Sequence, residues 1–105
     1  MDLLSDQSVL SDDALEGKTA LICGASRGIG AATAIIMAKA GANVILASRN
    51  EAQLQALLSE ISSLGEGFHQ ILVLDLEDTD SLEGRIQPIL DQGPIHILVN
   101  NAGGP

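Results

Sequence analysis

A chain of 105 residues with a single phenylalanine, no tyrosine and no tryptophan lacks the aromatic platforms on which proteins stack single-stranded bases. Fourteen acidic against five basic residues, a net charge of −9, repel phosphodiester backbones and anionic bilayers, so neither nucleic acid nor membrane is an expected partner. One cysteine, Cys23, excludes a disulfide framework and a cysteine-based metal site. Nearly half the residues are apolar, 46%, enough for one small globular domain. No apolar run is long enough to span a bilayer, and the acidic N-terminus lacks the basic region of a signal peptide. A cytoplasmic location is the expectation.

Residues 1–17 carry Asp2, Asp6, Asp12, Asp13 and Glu16 with scattered leucines and no sustained period. They read as an acidic flexible arm, with a short packed helix as the alternative. From residue 18 to 105 the pattern changes. Ala20-Leu21-Ile22-Cys23 is a compact apolar run suited to a strand buried on both faces. It breaks into Gly24-Ala25-Ser26-Arg27-Gly28-Ile29-Gly30 and continues as helix formers from Ala31 to Lys39. Glycines let a turn take positive φ and bring backbone close to a ligand, and the first N–H groups of a helix have no partner within it. The sequence therefore places an anion cradle here. Its G-x-x-x-G-x-G spacing is neither the G-x-G-x-x-G fingerprint nor a P-loop, and a tight strand-to-helix connection without a ligand is the bland alternative.

Gly41 ends that helix, and Asn43 to Ala47 is a second buried strand. Asn50, with Gln53 three positions on, resembles a capping box. It opens a helix whose apolar face is Leu54, Leu57, Leu58, Ile61 and Leu64, closed by Gly65 and Gly67. Phe68 to Asp75 forms the third strand. Asp78 is placed to cap a third helix, in which Gly84 and Pro88 predict a kink or early stop. Ile95 to Val99 is the fourth strand, followed by Asn100-Asn101-Ala102-Gly103. Strands alternating with helices give an α/β fold: a Rossmann-type doubly wound parallel sheet, partial, of four strands in the expected order 3-2-1-4. In such a sheet the ligand crevice lies beyond the carboxyl ends of the strands. Four chemically suggestive stretches fall there: Gly24 to Gly30, Ser48-Arg49, Asp75-Leu76 and Asn100 to Gly103.

A carboxylate ending the second strand would bind a free ribose 2′-hydroxyl. Ser48 and Arg49 suit a 2′-phosphate instead, since a guanidinium forks two donors onto it, and Arg27 is within reach of the same group. NADP(H) is thus expected over NAD(H), the alternative being that both arginines are ordinary surface residues. Asp75 accepts from an adenine amino group while the Leu76 N–H donates to the ring, or it is simply a capping carboxylate. Asn100 and Asn101 satisfy backbone groups of the glycine turn or contact ribose. Cys23 reads as an inert core thiol, and His69 and His96, without metal spacing, as structural residues.

Together these stretches resemble the N-terminal half of the short-chain dehydrogenase/reductase family. Gly24 to Gly30 matches its TGxxxGxG motif, with Cys23 in place of the usual Thr. Asp75 matches its adenine-contacting Asp, and Asn100-Asn101-Ala102-Gly103 its NNAG motif. The GASRGIG form with Ser48-Arg49 is similar to NADPH-dependent members of the 3-oxoacyl-acyl-carrier-protein reductase type. The resemblance implies cofactor contacts at Gly24, Ser26, Arg27, Gly28, Ile29, Gly30, Ser48, Arg49, Asp75, Leu76, Asn101, Ala102 and Gly103, no metal, and a homo-oligomeric habit. It also implies that the catalytic Ser, Tyr-x-x-x-Lys and Asn lie beyond NNAG, so no catalytic residue is assigned. The expectation is the cofactor-binding half of an NADP(H)-dependent oxidoreductase, whose apolar fourth strand awaits a C-terminal half or partner chain. A non-catalytic nucleotide-binding or regulatory module is the alternative. An S-adenosylmethionine-binding methyltransferase domain is a third reading, disfavoured by Ser48-Arg49.

Overall fold

A computed structural model describes residues 14–26, 28–64 and 67–101. Seven elements alternate: β1 (Thr19–Cys23), α1 (Gly28–Lys39), β2 (Asn43–Ser48), α2 (Glu51–Ser62), β3 (Gln70–Val73), α3 (Thr79–Gln92) and β4 (Ile97–Asn100). All strand pairs are parallel and the sheet order is β3-β2-β1-β4, the 3-2-1-4 order expected from the sequence.

The period-2 geometry of the central strands divides the core into two layers. Ala20, Ile22, Val44 and Leu46 face Ala34 of α1 and Leu54, Leu57 and Ile61 of α2. Leu21, Cys23, Ile45 and Ala47 face the other way, against Leu72, Leu74 and Ile89 of α3. This explains why β1 and β2 read as unbroken apolar runs: both of their faces are covered. The arm stretch of residues 1–13 lies outside the described residues, whereas Leu15 packs against the α1/α2 layer and donates its N–H to the Ala40 carbonyl at 2.8 Å.

Four local details depart from expectation. α1 begins at Gly28, taking in Gly28-Ile29-Gly30, because positive φ is needed only at Gly24 (78°) and Gly28 (65°). Strands β3 and β4 start two residues later than their apolar runs, and the histidines just ahead of them accept backbone N–H groups through their side chains. The Asn50 cap forms only half of the expected box: its Oδ1 accepts from Gln53 N at 3.0 Å, while its own N–H donates to Ser48 Oγ at 3.2 Å. Finally, α3 runs helically through Pro88. The residue one turn back, where a proline ring would meet a carbonyl, is Gly84, which borders open space and leaves the helix room to adjust. Asp78 sits at the α3 N-cap position but makes no side-chain cap bond.

The two histidines perform the same task at the amino-terminal edge of the sheet. His96 Nδ1 accepts the Thr19 N–H at 3.0 Å and His69 Nδ1 accepts the Val44 N–H at 3.1 Å. Beside His69, Asn43 Oδ1 accepts the Phe68 N–H at 2.9 Å, so β3 is latched to β2 ahead of the ladder proper. An imidazole that accepts at Nδ1 is neutral, with its proton on Nε2. Burial also lowers the His69 pKa below its ordinary value, with no charged partner contributing. Because the unfolded chain takes up this proton first, stability from the latch is complete above the ordinary histidine pKa and is lost as pH falls through the lower folded value. The stability gap between wild type and His69→Ala, measured as urea midpoints, should therefore be wider at pH 7.5 than at pH 5. A gap independent of pH would refute the latch.

Candidate functional site

The carboxyl ends of all four strands open into one cleft of about 1190 Å³, more than the ~300–1,000 Å³ of a drug-sized ligand site. A smaller cavity of about 260 Å³ lies at the opposite, amino-terminal edge, where Thr19, Asn43 and Phe68 contribute to its wall; none of the motif residues lines it.

The floor of the large cleft is the turn after β1. Gly24 N and Ala25 N both converge on the Ala47 carbonyl, at 2.8 and 3.2 Å, which pins the turn over the end of β2 and uses up two of its donors. The donors left for a ligand begin at Ser26 and pass into the first turn of α1 at Gly28 and Ile29, all on the cleft wall. Gly28 has open space where a Cβ would stand, so the backbone is bare toward the cleft. Gly30 is needed for another reason. A Cβ there would fall on the Gly24 carbonyl oxygen and lie 2.8 Å from its carbon, so only glycine lets α1 approach the end of β1 this closely. These are the features of an anion cradle at a helix N-terminus: N–H donors, a favourable dipole end and no side chain in the way. Ile29, 74% exposed, presents an apolar surface beside it. The residues present thus fit the pyrophosphate of a dinucleotide.

At the end of β2, Ser48 and Arg49 line the cleft, as do Asn50, Glu51 and Gln53 of the α2 entry. None of these last three is among the cofactor contacts expected from the sequence, where Asn50 and Gln53 figure only as a capping box. The half capping box, with only two residues between β2 and α2, was the signal that the helix N-terminus must sit on the same rim. At the end of β3, Leu74, Asp75, Leu76 and Glu77 form the next wall. Asp75 Oδ1 accepts from Glu77 N at 2.9 Å, an Asx turn. This bond closes a local turn and does not cap α3, whose N-cap position is held by Asp78. At the end of β4, Asn100 and Asn101 line the cleft, and Asn101 N donates to the Cys23 carbonyl at 3.0 Å. Asn101 thus secures the strand that carries the glycine turn. Cys23 is buried and desolvation pushes its thiol pKa up, the behaviour of a core thiol. Arg27, Ala102 and Gly103 lie outside the described residues. Among the described residues no cluster of three His, Cys, Asp or Glu could hold a metal, and no helix is long and apolar enough to cross a membrane.

The model of the short chain dehydrogenase family matches residues 18–105. The chain is 43% identical over 90 residues to the 3-oxoacyl-[acyl-carrier-protein] reductase FabG of Vibrio harveyi, covering 85% of this chain and 35% of the relative. It is 40% identical over 94 residues to a dehydrogenase/reductase SDR family protein 7-like of Anopheles gambiae, covering 85% and 30%. Among solved structures, a metagenomic short-chain oxidoreductase in complex with NADP superposes with a TM-score of 0.81 at 38% identity, over 87% of this chain and 41% of that one. A 3-oxoacyl (acyl-carrier-protein) reductase of Agrobacterium tumefaciens C58 with NADP bound gives 0.78 at 37% identity, over 95% and 39%. The chain spans about a third of the length of the curated relatives it matches.

Proposed function

We propose that this chain, which belongs to the short-chain dehydrogenase family, binds a nicotinamide dinucleotide across its strand ends with a preference for NADP(H). The single observation that carries the reading is the convergence of four separate strand ends on one cleft whose floor is a side-chain-free helix N-terminus. In this reading Ser26, Gly28, Ile29 and the turn around Arg27 take the pyrophosphate, with Gly24 and Gly30 shaping the cradle. Ser48 and Arg49 hold the 2′-phosphate, Asp75 and Leu76 read the adenine, and Asn101 with Ala102 and Gly103 borders the ribose. The cofactor, when bound, supplies the hydride donor or acceptor. Residues 18–105 correspond to the cofactor-binding half of the domain.

The oxidoreductase activity of the whole protein, on a carbonyl or alcohol, is part of the same proposal. It rests on the family and on relatives named as reductases. The general acid/base that the family resemblance implies is a tyrosine, and this sequence contains none; the 105-residue chain by itself is therefore expected to bind cofactor and transfer no hydride. The last strand of the sheet, β4, with Leu98 65% exposed, is where further chain or a partner would continue the sheet.

Two measurements test this. Titration of NADPH and NADH, followed by their own fluorescence, should show tighter binding of NADPH, and Arg49→Ala should weaken NADPH by about 10- to 100-fold while sparing NADH, the value of one charge-assisted contact of ~1.5–3 kcal/mol. Equal affinity for the two cofactors would overturn the 2′-phosphate assignment. Any NADPH-dependent carbonyl turnover by the 105-residue chain would overturn the binding-only role.

A further inference from the structure

We infer that Glu51, in the first turn of α2, is a specificity-determining residue that holds down the preference for a 2′-phosphorylated cofactor; the inference rests on the 2′-phosphate reading of Ser48 and Arg49. The polar groups at this corner are already committed. Ser48 Oγ accepts the Asn50 N–H at 3.2 Å, leaving the hydroxyl one O–H to donate. Asn50 Oδ1 accepts the Gln53 N–H at 3.0 Å, so a first-turn donor of α2 that a phosphate would otherwise meet is capped from within. What remains to discriminate a phosphate from a hydroxyl is the Ser48 O–H, the Arg49 guanidinium and the charge around them.

Arg27 lying outside the described residues, the balance of the described lining is acidic. Among the described residues lining the cleft, Arg49 is the one cation, against the carboxylates of Glu51, Asp75 and Glu77. Asp75 and Glu77 stand at the end of β3, on the wall assigned to adenine. Glu51 stands two residues from Arg49 on the α2 entry, and both line the same cleft. An acid in the first turn stabilises its own helix through the dipole, which gives α2 a reason to keep it. The same charge repels a phosphate at the end of β2 and does little to a ribose carrying a free hydroxyl. Glu51 thus trades cofactor discrimination against helix stability.

The test is the ratio of NADPH to NADH affinity in the full 105-residue chain at low ionic strength, compared among wild type, Glu51→Gln and Glu77→Gln. Glu51→Gln keeps the shape and removes the charge. It should tighten NADPH by about two- to tenfold, the range of one surface charge acting on a phosphate, and change NADH by less than twofold. Glu77→Gln, which lightens the general field of the cleft, should move both cofactors by the same factor. The gain in Glu51→Gln should shrink toward unity as salt is raised and the Debye length falls toward ~3 Å at 1 M. A ratio unchanged by Glu51→Gln, or raised equally by Glu77→Gln, overturns the role of Glu51 while wild-type discrimination stands. A wild-type protein that takes both cofactors equally, or neither, overturns the 2′-phosphate reading itself and the role of Glu51 with it.

Discussion

Gly30→Ala is expected to cost the chain a large share of its stability and its cofactor site together. The added Cβ would overlap the Gly24 carbonyl oxygen, sit 2.8 Å from the Gly24 carbonyl carbon and 3.2 Å from the Ala25 Cα. All three atoms are backbone, so no rotamer change relieves the clash. Either α1 moves off β1 or the turn is displaced. Overpacking of this kind costs ~1–3 kcal/mol or more, a large share of the ~5–15 kcal/mol available to a domain of this size. Moving the turn would also break the two bonds by which Gly24 and Ala25 are pinned to the Ala47 carbonyl, and with them the positions of the donors from Ser26 onward. Far-UV melts should show a much lower midpoint, and NADPH titration a fall of at least tenfold.

Gly28→Ala supplies the contrast. Its Cβ meets nothing within 4 Å, but the residue holds φ at +65°, a conformation that costs a non-glycine residue ~1–2 kcal/mol. Its loss of stability should be smaller, and its effect on NADPH should come from a methyl group occupying the cradle itself. If Gly30→Ala melts like wild type and binds like wild type, the close approach of α1 to β1 is not what the glycine is for.

The contrast also shows what was legible in the sequence. Element order, parallel pairing and the strand ends that meet at the cleft follow from apolar runs of the right length and from glycines at turn positions, because burial on both faces of β1 and β2 dictates their composition. The two reasons for two glycines, positive φ at Gly28 and close approach at Gly30, are not separable from spacing, since the sequence records only that a side chain is absent. The histidines were legible as structural but not as latches, because a pairing between His69 and Val44 depends on register rather than on any local pattern. The helical continuation through Pro88 depends on which residue stands one turn back, and Gly84 there is itself a helix breaker whose relief of the proline shows only in three dimensions. Glu51 escaped for a further reason: an acid in a first turn already has an explanation as a helix-stabilising charge, and only the cleft shows that it has a second neighbourhood.

Ile22→Ala and Leu98→Asn should separate a strand that is finished from one that is not. Ile22 lies in the middle of β1, fully buried, and is aligned with Leu46 on one side and Val99 on the other. Truncating it leaves a cavity between the sheet and the helices α1 and α2 that pack on this face, a loss of ~2–5 kcal/mol that should abolish the cooperative melt. Leu98 is aligned with Leu21 in the neighbouring strand, yet α3 does not cover it and it remains 65% exposed. Two leucines in one register row therefore have opposite fates, decided by distance from the edge of the sheet. In the 105-residue chain Leu98→Asn should shift stability by no more than ~0.5 kcal/mol. It should also lower light scattering at high concentration, because an apolar last strand invites pairing with other chains. In a longer protein whose further chain packs over β4, the same substitution should instead destabilise by the ~1.5–3 kcal/mol of a buried leucine side chain. A Leu98→Asn chain that melts as low as Ile22→Ala would show that β4 is already covered, and the reading of its edge as the continuation point of the sheet would fall.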